Sequence, residues 1–97
     1  MNIKVGTVVE LKIDCMQNPK GTLGVCYEHY RLDRQHEGWS IIFENGAYDG
    51  FGNWECDRFL EVTGFCQELS NYQFKNVMKL SNDFSLGVFD IALKNTT

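Results

Sequence analysis

The chain has 97 residues, of which 43% are aliphatic or aromatic and 23% are charged. This length allows one modest hydrophobic core and leaves no room for a second catalytic lobe, so we expect a single domain over residues 1–97. The net charge is −4, and residues 1–65 hold six Lys or Arg against ten Asp or Glu. Because binding to a phosphate backbone needs clustered basic side chains, this balance argues against general nucleic-acid binding.

The composition also bears on where the protein resides. No apolar run reaches the roughly 20 residues of a membrane helix, and the opening MNIKVGTVVELK lacks the basic-then-apolar pattern of a signal peptide. We therefore expect a cytoplasmic protein without membrane contact. In that compartment thiols stay reduced, so we interpret the four cysteines as buried thiols: Cys15, Cys26, Cys56 and Cys66.

Two strands are predicted before the middle of the chain. In VGTVVELK, residues 5–12, the alternation predicts Val9 and Leu11 on one face and Val8 on the other. A loop containing the only proline follows, and TLGVCYEHYRL, residues 22–32, predicts the second strand. Strict alternation there predicts two sets of side chains on opposite faces, namely Leu23, Val25 and Tyr27 against Cys26, Glu28 and Tyr30.

The next segments predict a hairpin and a short helix. WSIIF, residues 39–43, is typical of a buried strand with Trp39 and Phe43 in the core, and Asn45-Gly46 predicts a two-residue type I′ turn. In DGFGNWECDRFLEV, Asn53 is a good N-cap for one or two helical turns, and FLEV predicts a closing strand.

The tail has a helical pattern instead. Apolar residues recur close to every 3.6 positions after a cap at Ser70 or Asn71: Phe74, Val77, Met78, Leu80, Phe84, Val88 and Ile91. Gly87 interrupts this pattern, so we expect a break or a kink there.

The text VGTVVELK and NPKGTLGVCYEHY resembles the Src-homology-3-like small barrels, particularly their KOW and Tudor-like members. The matching positions are Gly6, Val8, Val9, Lys20, Gly21, Gly24 and Val25. The resemblance implies a mainly β fold, with a five-stranded antiparallel barrel in residues 1–65 and a C-terminal helical extension in 66–97. It also implies binding rather than catalysis. NPKGT and ENGAYDGF additionally resemble small uncharacterised bacterial or phage proteins, a resemblance that points to no particular activity.

Metal-binding and catalytic patterns are weak. Cys26 and His29 contain the right atoms for zinc, but an offset of three within a strand predicts that they face opposite sides. The acidic segment 49–57 lacks the spacing of a calcium-binding loop, and neither a nucleophile elbow nor a glycine-rich phosphate loop occurs. We therefore expect no metal, no cofactor and no enzymatic activity.

Aromatic residues at predicted loop edges are the more informative set. We expect a recognition surface formed by Tyr30, Tyr48, Phe51 and Trp54 and rimmed by acids that include Asp49 and Glu55. Such a surface favours a protein partner with a basic segment. The competing interpretation is that Tyr48 and Phe51 pack against the C-terminal helix.

Two other functions stay open from the sequence. The first is RNA or ribosome binding by the KOW-like turn, using Lys20, Arg31 and Arg34. The second is a small acidic inhibitor, such as an immunity or counter-defence protein, that occupies a nucleic-acid-binding enzyme. The sequence leaves the partner's identity and the oligomeric state undetermined.

Overall fold

The structure, a computed structural model, describes residues 3–15, 17–33, 36–70 and 76–87. Its strands are β1 (Thr7–Leu11), β2 (Leu23–Arg31), β3 (Glu37–Phe43), β4 (Tyr48–Gly52) and β5 (Leu60–Phe65). They form one antiparallel sheet in the order β4-β3-β2-β1-β5, which confirms the mainly β prediction. No ladder joins the edge strands β4 and β5 among the described residues, so the sheet is open there.

Three short helices accompany the sheet: α1 (Asn53–Phe59), α2 (Gln67–Ser70) and α3 (Val77–Ser85). α3 begins after Asn76, whose Oδ1 accepts a hydrogen bond from the Lys79 backbone N–H at 3.0 Å. It ends at Ser85, and Gly87, two residues later, has φ +79°, the left-handed conformation that closes many helices, so the helix stops before Gly87 as predicted. The predicted cap at Asn71 and the predicted helical positions at 74, 88 and 91 lie outside the described residues. None of the described helices combines the length and apolarity needed to cross a membrane.

Both faces of the sheet bury apolar side chains. On the inner face, Val9 and Leu11 of β1 join a cluster that includes Trp39, Phe43 and the α1 residue Cys56. This confirms the predicted alternation of β1 and the core positions of Trp39 and Phe43, which are 5% and 0% exposed.

The outer face carries a second cluster, in which the C-terminal helices cover the sheet. Val8, Val25 and Ile42 contact Leu69 of α2 and Leu80 and Phe84 of α3 in one buried set. The described part of the tail therefore packs on its own sheet.

A β-bulge changes the second strand. The β2–β3 register shifts between Cys26 and Glu28, so Cys26 pairs with inner-face Ile41 whereas Tyr30 pairs with Gly38. The prediction that Cys26, Glu28 and Tyr30 share a face is therefore wrong, because one extra residue in a strand reverses every side chain beyond it.

The β3–β4 turn also differs from the prediction. The Phe43 carbonyl accepts from the Gly46 N–H and the Phe43 N–H donates to the Ala47 carbonyl, both at 2.8 Å, and only Gly46 of this loop has positive φ, at +88°. The loop is thus a three-residue connection with a left-handed glycine rather than a type I′ turn. Gly46 is needed for packing as well, since a Cβ there would collide with Ser85 Oγ of α3.

Candidate functional site

An open groove of about 380 Å³ lies where β2 and β4 end and where β3 and α1 begin. We call it the aromatic groove, and its lining residues are Tyr30, Leu32, His36, Glu37, Gly52, Asn53, Trp54 and Glu55. Three different strands and one helix contribute to it, so its shape depends on the fold rather than on a single loop.

Large apolar side chains in the groove are open to solvent. Trp54 is 67% exposed and Leu32 is 80% exposed. The Trp54 indole packs beside Phe59 on the same helix, with ring centroids 6.5 Å apart and planes inclined by 49°. One side of the indole is thereby supported while most of its surface stays exposed, which is typical of a recognition surface.

The position of Tyr30 depends on two glycines. The bulge places Tyr30 opposite Gly38, and a Cβ on either Gly38 or Gly50 would collide with its hydroxyl oxygen. The phenol therefore occupies space above β3 and β4 that any other residue at these positions would fill. Glycine within a strand is unfavourable by itself, and the close approach of an aromatic ring explains it here.

Two carboxylates, Glu37 and Glu55, bring negative charge to the groove. Glu37 Oε1 lies 2.6 Å from His29 Nε2, and the His29 ring stacks on Trp39 with centroids 5.0 Å apart. Glu55 Oε1 accepts a hydrogen bond from the Gly52 N–H at 3.1 Å, which caps the first turn of α1. Both carboxylates are thus held in place, as binding groups need to be.

His36 and Asp33 form a close pair at the rim of the aromatic groove. His36 Nδ1 is 2.8 Å from Asp33 Oδ1, and both side chains are exposed. None of His36, Glu37 and Leu32 was predicted from the sequence to be a site residue. Their only signal was their position flanking the polar turn between β2 and β3.

The structure brings together three of the predicted site residues and separates the others. Tyr30, Trp54 and Glu55 line the aromatic groove. Phe51 is only 2% exposed and makes edge-to-face contacts in the inner core, so its predicted place on an exposed surface is wrong. Tyr48 lies apart from the groove and is 41% exposed.

Tyr48 and Asp49 have neighbours of their own. The Tyr48 hydroxyl is 3.8 Å from Met78 Sδ, so this tyrosine contacts α3 as in the competing interpretation. Asp49 Oδ1 accepts a hydrogen bond from the Gly50 N–H at 2.7 Å along the edge of β4. α1 is capped at Gly52, one residue before the predicted Asn53.

The basic residues of the RNA-binding alternative are spread out. Lys20 lies in the β1–β2 loop, where its backbone N–H donates to Asp14 Oδ1 at 2.8 Å, and Arg31 ends β2. The length of β2 separates these two positions by about 25 Å. Lys20 and Arg31 therefore do not form one basic patch, and Arg34 lies outside the described residues.

All four cysteines are free thiols, and Cys26, Cys56 and Cys66 are buried as predicted, whereas Cys15 is only half-buried. Burial raises the pKa of Cys26 to about 12 and that of Cys56 to about 11, so both stay protonated at neutral pH. The bulge turns Cys26 and His29 to the same side of the sheet, contrary to the predicted opposite faces. Within the described ranges, no group of three or more Cys, His, Asp or Glu has a geometry suited to a metal ion.

Comparisons with known proteins give no further guide to the site. The chain matches no protein-family model, no curated protein and no solved structure. Any functional assignment therefore depends on the geometry of the aromatic groove.

Proposed function

We propose that this protein is a non-enzymatic, cytoplasmic interaction module that binds a basic segment of a partner protein in the aromatic groove. The observation that carries the proposal is the presence of exposed Trp54, half-buried Tyr30 and the carboxylates of Glu37 and Glu55 in one groove of about 380 Å³. Apolar rings and fixed negative charge occur there side by side.

A basic side chain fits this combination for two physical reasons. A cation placed over an aromatic ring gains about 0.5–2 kcal/mol, and a guanidinium also forms paired hydrogen bonds with a carboxylate. The methylene stem of Lys or Arg adds apolar contact with a surface such as Leu32. The net charge of −4 attracts a cationic segment over a longer range and speeds association.

We also propose that the sheet belongs to the Src-homology-3-like small-barrel class. The strand order supports this, since it brings the last strand beside the first after a meander of four. Register shifts between Val8 and Val9 in the β1–β5 ladder and between Cys26 and Glu28 in the β2–β3 ladder support it too. Bulges increase the twist and bend that a sheet needs to curl.

The test is a binding titration with peptides of opposite charge. An arginine-rich peptide should bind in isothermal titration calorimetry, while an acidic peptide of equal length should not. Trp54→Ala and Glu37→Gln should each weaken binding about tenfold, because each removes a contact worth about 1.4 kcal/mol. Met78→Ala is the matched control, since Met78 is equally exposed but lies on α3.

Two results would replace this proposal with one of its alternatives. Binding of RNA that Lys20→Ala abolishes and Trp54→Ala leaves unchanged would favour the KOW-like alternative. Capture of one tight nucleic-acid-binding enzyme, insensitive to Glu37→Gln, would favour the inhibitor alternative.

A further inference from the structure

β4 is an edge strand, and the hairpin geometry shows which of its backbone groups face outward. The N–H and C=O groups of Phe43 form hydrogen bonds across the turn toward β4. Every second residue of a strand points its backbone groups the same way, so those of Ile41 and Trp39 also point toward β4. The backbone groups of their partners on β4, Asp49 and Phe51, therefore form hydrogen bonds with β3. By alternation, the N–H groups of residues 48, 50 and 52 point away from the sheet.

Two of these three outward donors are occupied by carboxylates of the chain itself. The Gly50 N–H donates to Asp49 Oδ1 at 2.7 Å, and the Gly52 N–H donates to Glu55 Oε1 at 3.1 Å. Hydrogen bonds to a charged acceptor are about twice as strong as neutral ones. An incoming strand would have to displace both carboxylates before pairing with β4.

Without these carboxylates β4 would be a good template for another strand. Among the described residues no strand covers this edge, and a row of unpaired backbone groups recruits further strands. Gly50 and Gly52 offer no side chain that would obstruct an approaching backbone. A glycine-rich strand also defines its register weakly, which favours unintended pairing.

The occupant best suited to this edge is a second copy of β4. In a two-fold antiparallel pair centred on Gly50, the outward N–H groups of each copy bond to the outward C=O groups of the other copy. That arrangement places the two copies of Asp49 diagonally across the new ladder, about 7–8 Å apart. Asp49 therefore opposes pairing both by occupying the Gly50 donor and by repulsion between like charges.

We propose that Asp49, assisted by Glu55, keeps the edge of β4 closed to pairing with a second copy of the chain. Asp49 then acts in preventing self-association and not in binding the basic partner. The inference is independent of the proposed function, because Asp49 does not line the aromatic groove.

The test compares the full-length chain with Asp49→Ala and with Asp57→Ala, which removes the same charge from an exposed position on α1. Analytical ultracentrifugation over a wide concentration range should find the wild type and Asp57→Ala monomeric. Asp49→Ala should form dimers or larger species at high concentration. At low concentration, hydrogen exchange of the Gly50 amide should be at least tenfold faster in Asp49→Ala than in the wild type.

Three results would overturn the inference. They are a wild-type protein already paired through β4, an Asp49→Ala variant that stays monomeric at all concentrations, and association of Asp57→Ala to the same extent. Hydrogen exchange of Gly50 in the wild type adds a test that needs no variant to fold. Exchange of that amide at the rate of an unstructured peptide would show that the Asp49 bond does not protect the edge.

Discussion

Leu80 on α3 provides a sharp test of whether the C-terminal helix is an integral part of the core. Its side chain is 0% exposed and packs in the outer-face cluster with Val25 and Ile42. Met78, two residues earlier on the same helix, is 67% exposed. Replacing each by alanine changes helix propensity in a similar way, so the difference between the variants reports on packing.

The magnitude follows from burial. Truncating a fully buried leucine removes its transfer free energy and leaves a cavity, and together these typically cost about 3 kcal/mol. A domain of this size has a total stability of about 5–10 kcal/mol, so Leu80→Ala should lose a large share of it. Met78→Ala should change the free energy of unfolding by less than about 0.5 kcal/mol.

Urea unfolding followed by circular dichroism measures the difference. With an m-value of about 1.5 kcal/mol per molar urea, the midpoint of Leu80→Ala should fall by about 2 M, while that of Met78→Ala should stay near the wild-type value. Equal midpoints for the two variants would refute the packing of α3 on the sheet. A wild-type transition in two separate steps would likewise show that the helix unfolds independently.

Three further perturbations test the turn, a buried thiol and the support of the groove. Gly46→Ala should destabilise the protein by about 1–3 kcal/mol in thermal unfolding, because its φ is +88° and its Cβ would meet Ser85 of α3; an unchanged melting temperature would contradict this. Burial raises the pKa of Cys26 from 9.0 to about 12, so the folded state keeps this thiol protonated while the unfolded chain ionises. Stability should therefore fall as the pH rises from about 9 to about 12, and Cys26→Val should show a shallower loss in urea titrations; equal slopes would exclude the effect. Gly38→Ala should displace Tyr30 and weaken peptide binding about tenfold while the variant stays folded, and unchanged affinity would show that Tyr30 does not shape the groove.

Several elements of the fold followed from local patterns in the sequence. The sequence identified β1 and its two faces correctly, because β-branched Val8 and Val9 favour a strand and the two-residue period places Val9 and Leu11 on one face and Val8 on the other. The break at Gly87 was predictable for a similar reason, since glycine is the residue that most readily adopts the left-handed conformation at a helix end.

The bulge in β2 was not predictable, and it changed the faces of Cys26 and Tyr30 relative to each other. One additional residue inside a strand leaves the composition unchanged, yet it turned Tyr30 away from the face of Cys26 and toward Gly38. No local signal marks such an insertion, because it is selected by the packing of the finished sheet.

The glycines between residues 46 and 52 were misleading in a different way. Phe51 lies between Gly50 and Gly52 and was expected at a loop edge, and therefore at the surface. Gly50 and Gly52 in fact occupy alternate positions of a strand, which turns Phe51 into the inner core. Gly50 is glycine because Tyr30 packs over it, a contact between distant segments that a local pattern does not contain.

The predicted site residues therefore came together only in part. Trp54 and Glu55 were identifiable because a polar-tipped aromatic and an acid follow a turn at a helix start. Glu37 and Leu32 were missed because their contribution depends on how β2 ends and β3 begins beside α1.

The most direct test of the central claim is a nuclear magnetic resonance titration of the isotope-labelled protein with an arginine-rich peptide. Binding in the aromatic groove predicts shifts of the Trp54 indole N–H and of the Tyr30 and Glu37 amides, with the amides of α3 unchanged. Shifts confined to residues around Lys20, or no shifts at millimolar peptide, would contradict the proposal that this groove binds a basic partner.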